Sequence, residues 1–203
     1  MKILAIGAHP DDIEPQIGGT LAKLLKSGNE VLSASVVETK TGALSSDVRF
    51  QESVDAAKVL GYSAISLGMN NHEIAYNRQL VMEIDSLISR ESPNLVFSIS
   101  GDDTHQEHRF VALAVESALR KNDCSLVTLN QALPGGVSSH SYTYFSDISD
   151  FFDLKIKAIE CYQSQVNKYG KEWLEMVSSR DRFWGLNFGV NYMEVGDVSK
   201  IIT

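Results

Sequence analysis

Cysteine is scarce in this chain. Cys124 and Cys161 are its only two, each alone in an apolar context, which argues against a disulfide framework and points to a reducing compartment. Positive charge is in deficit: 18 Lys and Arg stand against 26 Asp and Glu, for a formal net charge of −8. That balance suits solubility and advertises no surface for nucleic acid or an anionic membrane. Long apolar runs are missing as well. The first run, Ile3-Leu4-Ala5-Ile6-Gly7, is short and followed by charges, so it reads as a buried strand and as neither signal peptide nor membrane span. No GxGxxG follows it, which leaves Gly18-Gly19 to close packing rather than to a phosphate cradle. Repeats, low-complexity tracts and linkers are absent, and 43% of the 203 residues are hydrophobic. One domain spanning 1–203, in the cytoplasm, is the expectation, and self-association is compatible with the composition.

What is present alternates between two periodicities. Strands are expected at Ile3 to Gly7, Val31 to Val37, Ala64 to Leu67, Asn94 to Ile99, Cys124 to Leu129 and Tyr142 to Phe145. Helices are expected over Thr20 to Lys26, around Arg49 to Leu60, from about Asn77 to Arg90, from His105 to about Leu119 and from Asp150 to Gln165. Pro93 closes one helical region, and Pro134-Gly135-Gly136 reads as a turn. Strands alternating with helices predict a Rossmann-like, doubly wound α/β fold: a mostly parallel sheet, helices on both faces and a small C-terminal cap.

The chemistry gathers after two of the strands. Ala8-His9-Pro10-Asp11-Asp12 follows the first, at the carboxyl edge where open α/β sheets bind ligands. Imidazole and carboxylate both suit Zn²⁺, and a catalytic zinc takes about three protein ligands with one position left open. His9 and Asp12 could supply two, which leaves Asp11 free to take a proton. The strand ending at Ile99 runs into Ser100-Gly101-Asp102-Asp103-Thr104-His105-Gln106-Glu107-His108-Arg109. Thr104 and Glu107 have the spacing of a capping box, and His105 and His108, three apart, share a helix face. Both clusters therefore meet at one sheet edge, and together they favour a metal site over capping and surface histidines. His72 reads as a loop residue, whereas His140 could enter the site from its loop.

Strand-Ala-His-Pro-Asp-Asp-x-Glu, then Gly-Gly-Thr-Leu-Ala-Lys, then a downstream His-x-x-His-Arg closely resembles the LmbE-like or PIG-L family of zinc-dependent N-acetyl amino-sugar deacetylases. Arg49-x-x-Glu52 and the segment Asp147-Ile148-Ser149, Lys155, Ala158 and Ser164-Gln165 extend the resemblance over most of the chain. It implies His9, Asp12 and His108 as ligands of Zn²⁺, with Fe²⁺ able to occupy the same set, Asp11 as general base and His105 as the group facing the oxyanion. The implied partner is a small-molecule N-acetyl amino-sugar conjugate. Arg49, Glu14 and Arg182 are the candidate substrate contacts, the last within a cap of Trp173, Arg180, Trp184 and Tyr192. The chain departs from the family pattern at His105-Gln106-Glu107-His108, at Asn70-Asn71 and at Pro15-Gln16-Ile17. Two other readings stand beside this one: a zinc hydrolase of a different N-acyl amide, and a ligand-binding module without turnover.

Overall fold

The first strand is apolar from Ile3 onward because it lies at the centre of the sheet and is covered on both faces. In the computed structural model, which describes residues 1–38, 46–71, 74–129 and 141–202, β1 (Lys2–Gly7) pairs in parallel with β2 (Glu30–Glu38) on one side and β4 (Leu95–Ile99) on the other. Outward from these lie β3 (Ser63–Asn70) beside β2 and β5 (Ser125–Leu129) beside β4, again parallel. The seven-stranded order β3-β2-β1-β4-β5-β7-β6 is completed by β6 (Tyr144–Asp147) and β7 (Met193–Lys200). β7 runs antiparallel to both of its neighbours. The chain winds outward from β1 in one direction and then restarts at β4 in the other, so the carboxyl ends of β1 and β4 flank the crevice where such sheets take ligands.

Two cores cover the two faces. One packs α3 (Arg78–Glu91) and α4 (Gln106–Leu119) through Leu80, Ile84, Leu87, Val111 and Val115 against Leu4, Ile6 and Val96. The other packs α1 (Ile13–Lys26), α2 (Ser46–Leu60) and α5 (Phe152–Ile159) through Ile17, Leu21, Ala56, Leu60 and Ala158 against Ile3, Ala5 and Phe97. α3 shows how local chemistry sets an element's limits. The Asn77 side chain accepts from the Leu80 N–H at its start, and Ser92 in the left-handed region ends it just before Pro93.

The expected doubly wound fold is what the chain forms, with four differences in its elements. α1 begins at Ile13, not near Thr20, so Gly18-Gly19 lie inside the helix. A Cβ on Gly19 would come within 2.9 Å of Ile148, and the N–H groups of Gly19 and Thr20 are bound by the Glu194 carboxylate at 3.0 and 2.7 Å. The region expected as one helix over Asp150 to Gln165 is a 3₁₀ turn (Ser149–Phe151), α5 and α6 (Gln163–Tyr169). The chain turns at Tyr162, whose hydroxyl lies 2.6 Å from both the Pro10 carbonyl and the Glu14 carboxylate. α7 (Glu172–Asn187) follows. β7 was not foreseen, because Met193-Glu194-Val195-Gly196-Asp197 has no solid apolar run and carries two carboxylates and a glycine. The Pro134-Gly135-Gly136 turn, His72 and His140 lie outside the described residues.

Candidate metal centre and active site

The His9 turn is built to bring its own side chains together. Asp12 N–H reaches the His9 carbonyl at 3.3 Å, and the Asp12 carboxylate accepts from the His9 N–H at 2.8 Å, closing a tight loop between β1 and α1. Gly7 permits this, since a Cβ there would stand 2.9 Å from the Asp12 Cβ. From the other side of the crevice, the start of α4 delivers His108. Its Nε2 lies 3.2 Å from His9 Nδ1 and 3.3 Å from Asp12 Oδ1, and His9 Nδ1 is 3.6 Å from Asp12 Oδ2. All three residues are buried, and their ligand atoms lie within 4.8 Å of one another.

Each imidazole is aimed by a carboxylate on its far nitrogen. Glu107 holds His9 Nε2 at 2.6 Å, and Asp103 holds His108 Nδ1 at 2.7 Å. This carboxylate–imidazole arrangement leaves one nitrogen of each ring facing the common point, as metal-binding histidines require. Two nitrogens and one carboxylate oxygen match the ligand set of Zn²⁺ and, equally, of Fe²⁺. The donors present therefore fit a divalent cation.

The surrounding charge points the same way. Burial lowers the His9 pKa, but hydrogen bonds to Asp12 and Glu107 outweigh it and raise the value to about 9. His108 behaves alike: burial is overcome by Asp12 and Asp103, and its pKa rises to about 10. Burial also opposes ionisation of Asp12, yet His108 and His9 hold its carboxyl well below the ordinary range. The carboxylates around these rings thus create a strongly cation-seeking point.

Asp11 stands beside this cluster and outside its ligand set. Arg49 Nη1 lies 3.5 Å from Asp11 Oδ1. Gln165, with its amide oriented to satisfy its neighbours, donates to Asp11 Oδ2 and accepts from Arg49 Nε, both at 3.1 Å. Glu52 does not pair with Arg49. It accepts from the backbone N–H and the hydroxyl of Ser164 at the start of α6, at 2.7 and 2.5 Å. His105 is exposed over the cluster, its ring centroid 5.1 Å from that of His9. Burial, together with the nearby His108 and His9, lowers its pKa.

A cavity of about 610 Å³ lies over these groups, lined by His105 and by Trp173, Met176 and Arg180 of α7. Of the expected substrate contacts, Arg49 lines this cavity. Glu14 and Arg182 do not. Glu14 is buried beneath the turn, accepting from the hydroxyls of Tyr62 at 2.7 Å and Tyr162 at 2.6 Å. Burial raises its pKa to about 7 despite those two donors. Arg182 is spent on the Asn191 carbonyl at 2.8 Å and stacks near Tyr192, fastening α7 to the start of β7. Its neighbour Arg180 takes the cavity position.

The capping box at Thr104 is also not formed. His105 is the N-cap residue without a side-chain cap bond, and Glu107 turns to His9. Asp103 was given no role from the sequence, and Gln165 was named only as part of the resemblance, without a role at the site. Asp103 precedes the His-x-x-His in a polar strand exit, and that is the one signal that could have marked it.

Residues 4–119 match the family described as PIG-L, GlcNAc-PI de-N-acetylase, which is more than half of the chain. The chain belongs to the PIG-L family. It is similar to the diacetylchitobiose deacetylase of Thermococcus kodakarensis, at 28% identity over 219 residues covering 95% of this chain and 81% of that protein. Among solved structures, N,N'-diacetylchitobiose deacetylase from Pyrococcus horikoshii superposes with a TM-score of 0.82 at 24% identity, over 98% of this chain and 84% of that one. GalB, the 4-carboxy-2-hydroxymuconate hydratase from Pseudomonas putida KT2440, superposes with a TM-score of 0.81 at 16% identity, over 100% and 97% of the two chains. A hydratase on the same fold means that the PIG-L-family chain's chemistry has to be argued from its site.

Proposed function

We propose that this PIG-L-family deacetylase hydrolyses the N-acetyl group of an N-acetylglucosamine-type conjugate in solution, with His9, Asp12 and His108 holding a divalent cation and Asp11 acting as general base. The observation that carries the reading is the meeting of three ligand atoms within 4.8 Å beneath an open cavity, with a second carboxylate, Asp11, beside them and outside the ligand set. When bound, zinc or ferrous iron polarises an acetyl carbonyl and lowers the pKa of water next to it toward about 7. Asp11 takes the proton of the attacking water and returns it to the nitrogen as the C–N bond breaks. Acetate and a free amine leave.

Arg49 and Gln165 hold the Asp11 carboxylate in place. His105 offers a ring N–H to the carbonyl oxygen as negative charge gathers there, in the manner of an oxyanion donor. Trp173 and Met176 give the sugar ring an apolar wall to lie against, as aromatic side chains do for the CH face of a pyranose. Among the described residues no helix is long and apolar enough to cross a membrane, and the net charge of −8 repels an anionic lipid surface. Both favour a conjugate in solution over one embedded in lipid.

The test is metal analysis of the purified protein together with acetate release from a panel of N-acetylated sugars. About one cation per chain and acetate from at least one sugar are expected. Asp11→Asn should keep the cation and lose about 10²–10⁴-fold in kcat. An Asp11→Asn protein that loses its cation would exchange the roles of the two aspartates, and no acetate from any N-acetylated sugar would overturn the function.

A further inference from the structure

Gln16 stands in the run Pro15-Gln16-Ile17, where the chain departs from the family pattern, and the chemistry described above makes no use of it. It is only 7% exposed, and among the described residues neither its amide oxygen nor its amide nitrogen meets a hydrogen-bond partner. A buried amide unpaired at both ends costs folding free energy, so its presence in a native chain calls for a reason. Its position supplies one. Gln16 lines the cavity together with Asp11, Asp12, Trp173 and Arg180. It lies one turn of α1 beyond Asp12, on the same face. Arg180 donates to the carbonyl of the preceding Pro15 at 2.5 Å, which pins this turn against α7. The amide itself is tied to nothing described, so it can turn to a ligand in the cavity without breaking a bond within the protein. What satisfies such an amide at both ends is a group that donates and accepts. A carboxylate or carbonyl serves the nitrogen alone, an ammonium serves the oxygen alone, and a hydroxyl serves both.

We propose that Gln16 is a specificity residue of this site, its amide receiving the hydroxyl on C3 of the N-acetylated sugar. The inference deepens the deacetylase reading and rests on it for the place of the acetamide. With the acetamido nitrogen beside Asp11, ring carbon C2 lies near the start of the turn that ends at Gln16. Side chains one turn apart on a helix stand about 5–6 Å from each other at Cβ, a gap that a glutamine closes onto the oxygens of the two carbons flanking C2. On C1 that oxygen is the linkage to the rest of the conjugate and carries no hydrogen, so it has nothing to donate to Gln16 Oε1. The C3 hydroxyl donates to Oε1 and accepts from Nε2. The substrate class that follows is an N-acetylated sugar with a free hydroxyl on C3, and sugars etherified at that oxygen are excluded.

The experiment compares methyl N-acetyl-β-glucosaminide with its 3-deoxy analogue, on zinc-loaded wild type and on Gln16→Met, which keeps the length of the side chain and removes both polar ends. Acetate release, ligand-observed NMR titration and melting temperature are followed in parallel. Wild type should prefer the parent sugar by about 10–100-fold in kcat/KM, because the analogue leaves the amide unpaired. Gln16→Met should lose that preference and treat the two sugars alike. Its melting temperature should hold or rise, since an unpaired buried amide has given way to an apolar group of similar shape, whereas loss of a merely structural residue lowers it. A wild type that cleaves both sugars alike overturns the contact, as does a Gln16→Met that keeps the preference, or one that melts lower and loses activity equally on both. In a protein that releases acetate from no N-acetylated sugar, tighter binding of the parent by wild type and equal binding by Gln16→Met upholds the contact and overturns the deacetylase reading alone. Binding of neither sugar overturns the contact.

Discussion

Arg49 shows what a single side chain's partners decide. Read along the chain, it sits on a helix near the active edge, free for a sugar or for Glu52. In the fold, Glu52 is taken by Ser164, and Arg49 joins Gln165 around the Asp11 carboxylate. Its loss therefore falls on the base and not on substrate affinity. Arg49→Ala should lower kcat by about 10–100-fold, the usual cost of removing a group that orients a catalytic one, with KM for a conjugate and for free N-acetylglucosamine changed alike. A KM rise confined to the conjugate would return Arg49 to the substrate. Histidines and carboxylates with metal-ligand chemistry could be found in the sequence because that chemistry restricts the residue types. The roles of Asp103 and Tyr162, and that of Gln165 beyond its place in the resemblance, could not, because a loop carboxylate, a phenol or an amide has many uses, and only the fold brings each to its partner.

At the scale of elements, the C-terminal third is held by a buried ionic junction. Lys155 of α5, fully buried, pairs at 2.6 Å with both Asp181 of α7 and Glu194 of β7. Glu194 also binds two N–H groups of α1, and Arg180 joins Asp181 to the Pro15 carbonyl of the same helix. One lysine thus fixes the helix that walls the cavity against the helix that follows Asp12. Lys155→Met should cost about 3–5 kcal/mol in chemical denaturation, because Glu194 is left buried without a cation and Asp181 with Arg180 alone. A loss under about 1 kcal/mol would mean that the junction is hydrated or that its charges are dispensable. The sequence carried β1, β4, α3 and α4 clearly, since each has a strong apolar period or a cap. It did not carry β7 or the break between α5 and α6. Those elements are set by tertiary partners: β7 by the free edges of β5 and β6 and by Lys155, the break by the reach of Tyr162 to Pro10.

Across the whole molecule, the candidate ligands come from both halves of the doubly wound sheet. His9 and Asp12 follow β1, and His108 follows β4 after the chain has restarted on the other side. A cation held by all three ties the first βα unit to the fourth across the switch point. That geometry exists only in the folded chain, so the ion's binding energy adds to global stability and not to one local element. Zinc at about 1,000 times its Kd should stabilise the native state by about 4 kcal/mol. For a chain of this size, each kcal/mol moves Tm by about 2–4 °C. Removing the ion with a chelator should therefore lower Tm by about 8–16 °C, and returning zinc should restore it. His108→Ala should show no such response, since with two ligands left the ion no longer spans the halves. Equal melting temperatures of the stripped and zinc-loaded protein would mean that no cation joins these three side chains, and Asp11 would then lack the partner that its position beside them requires.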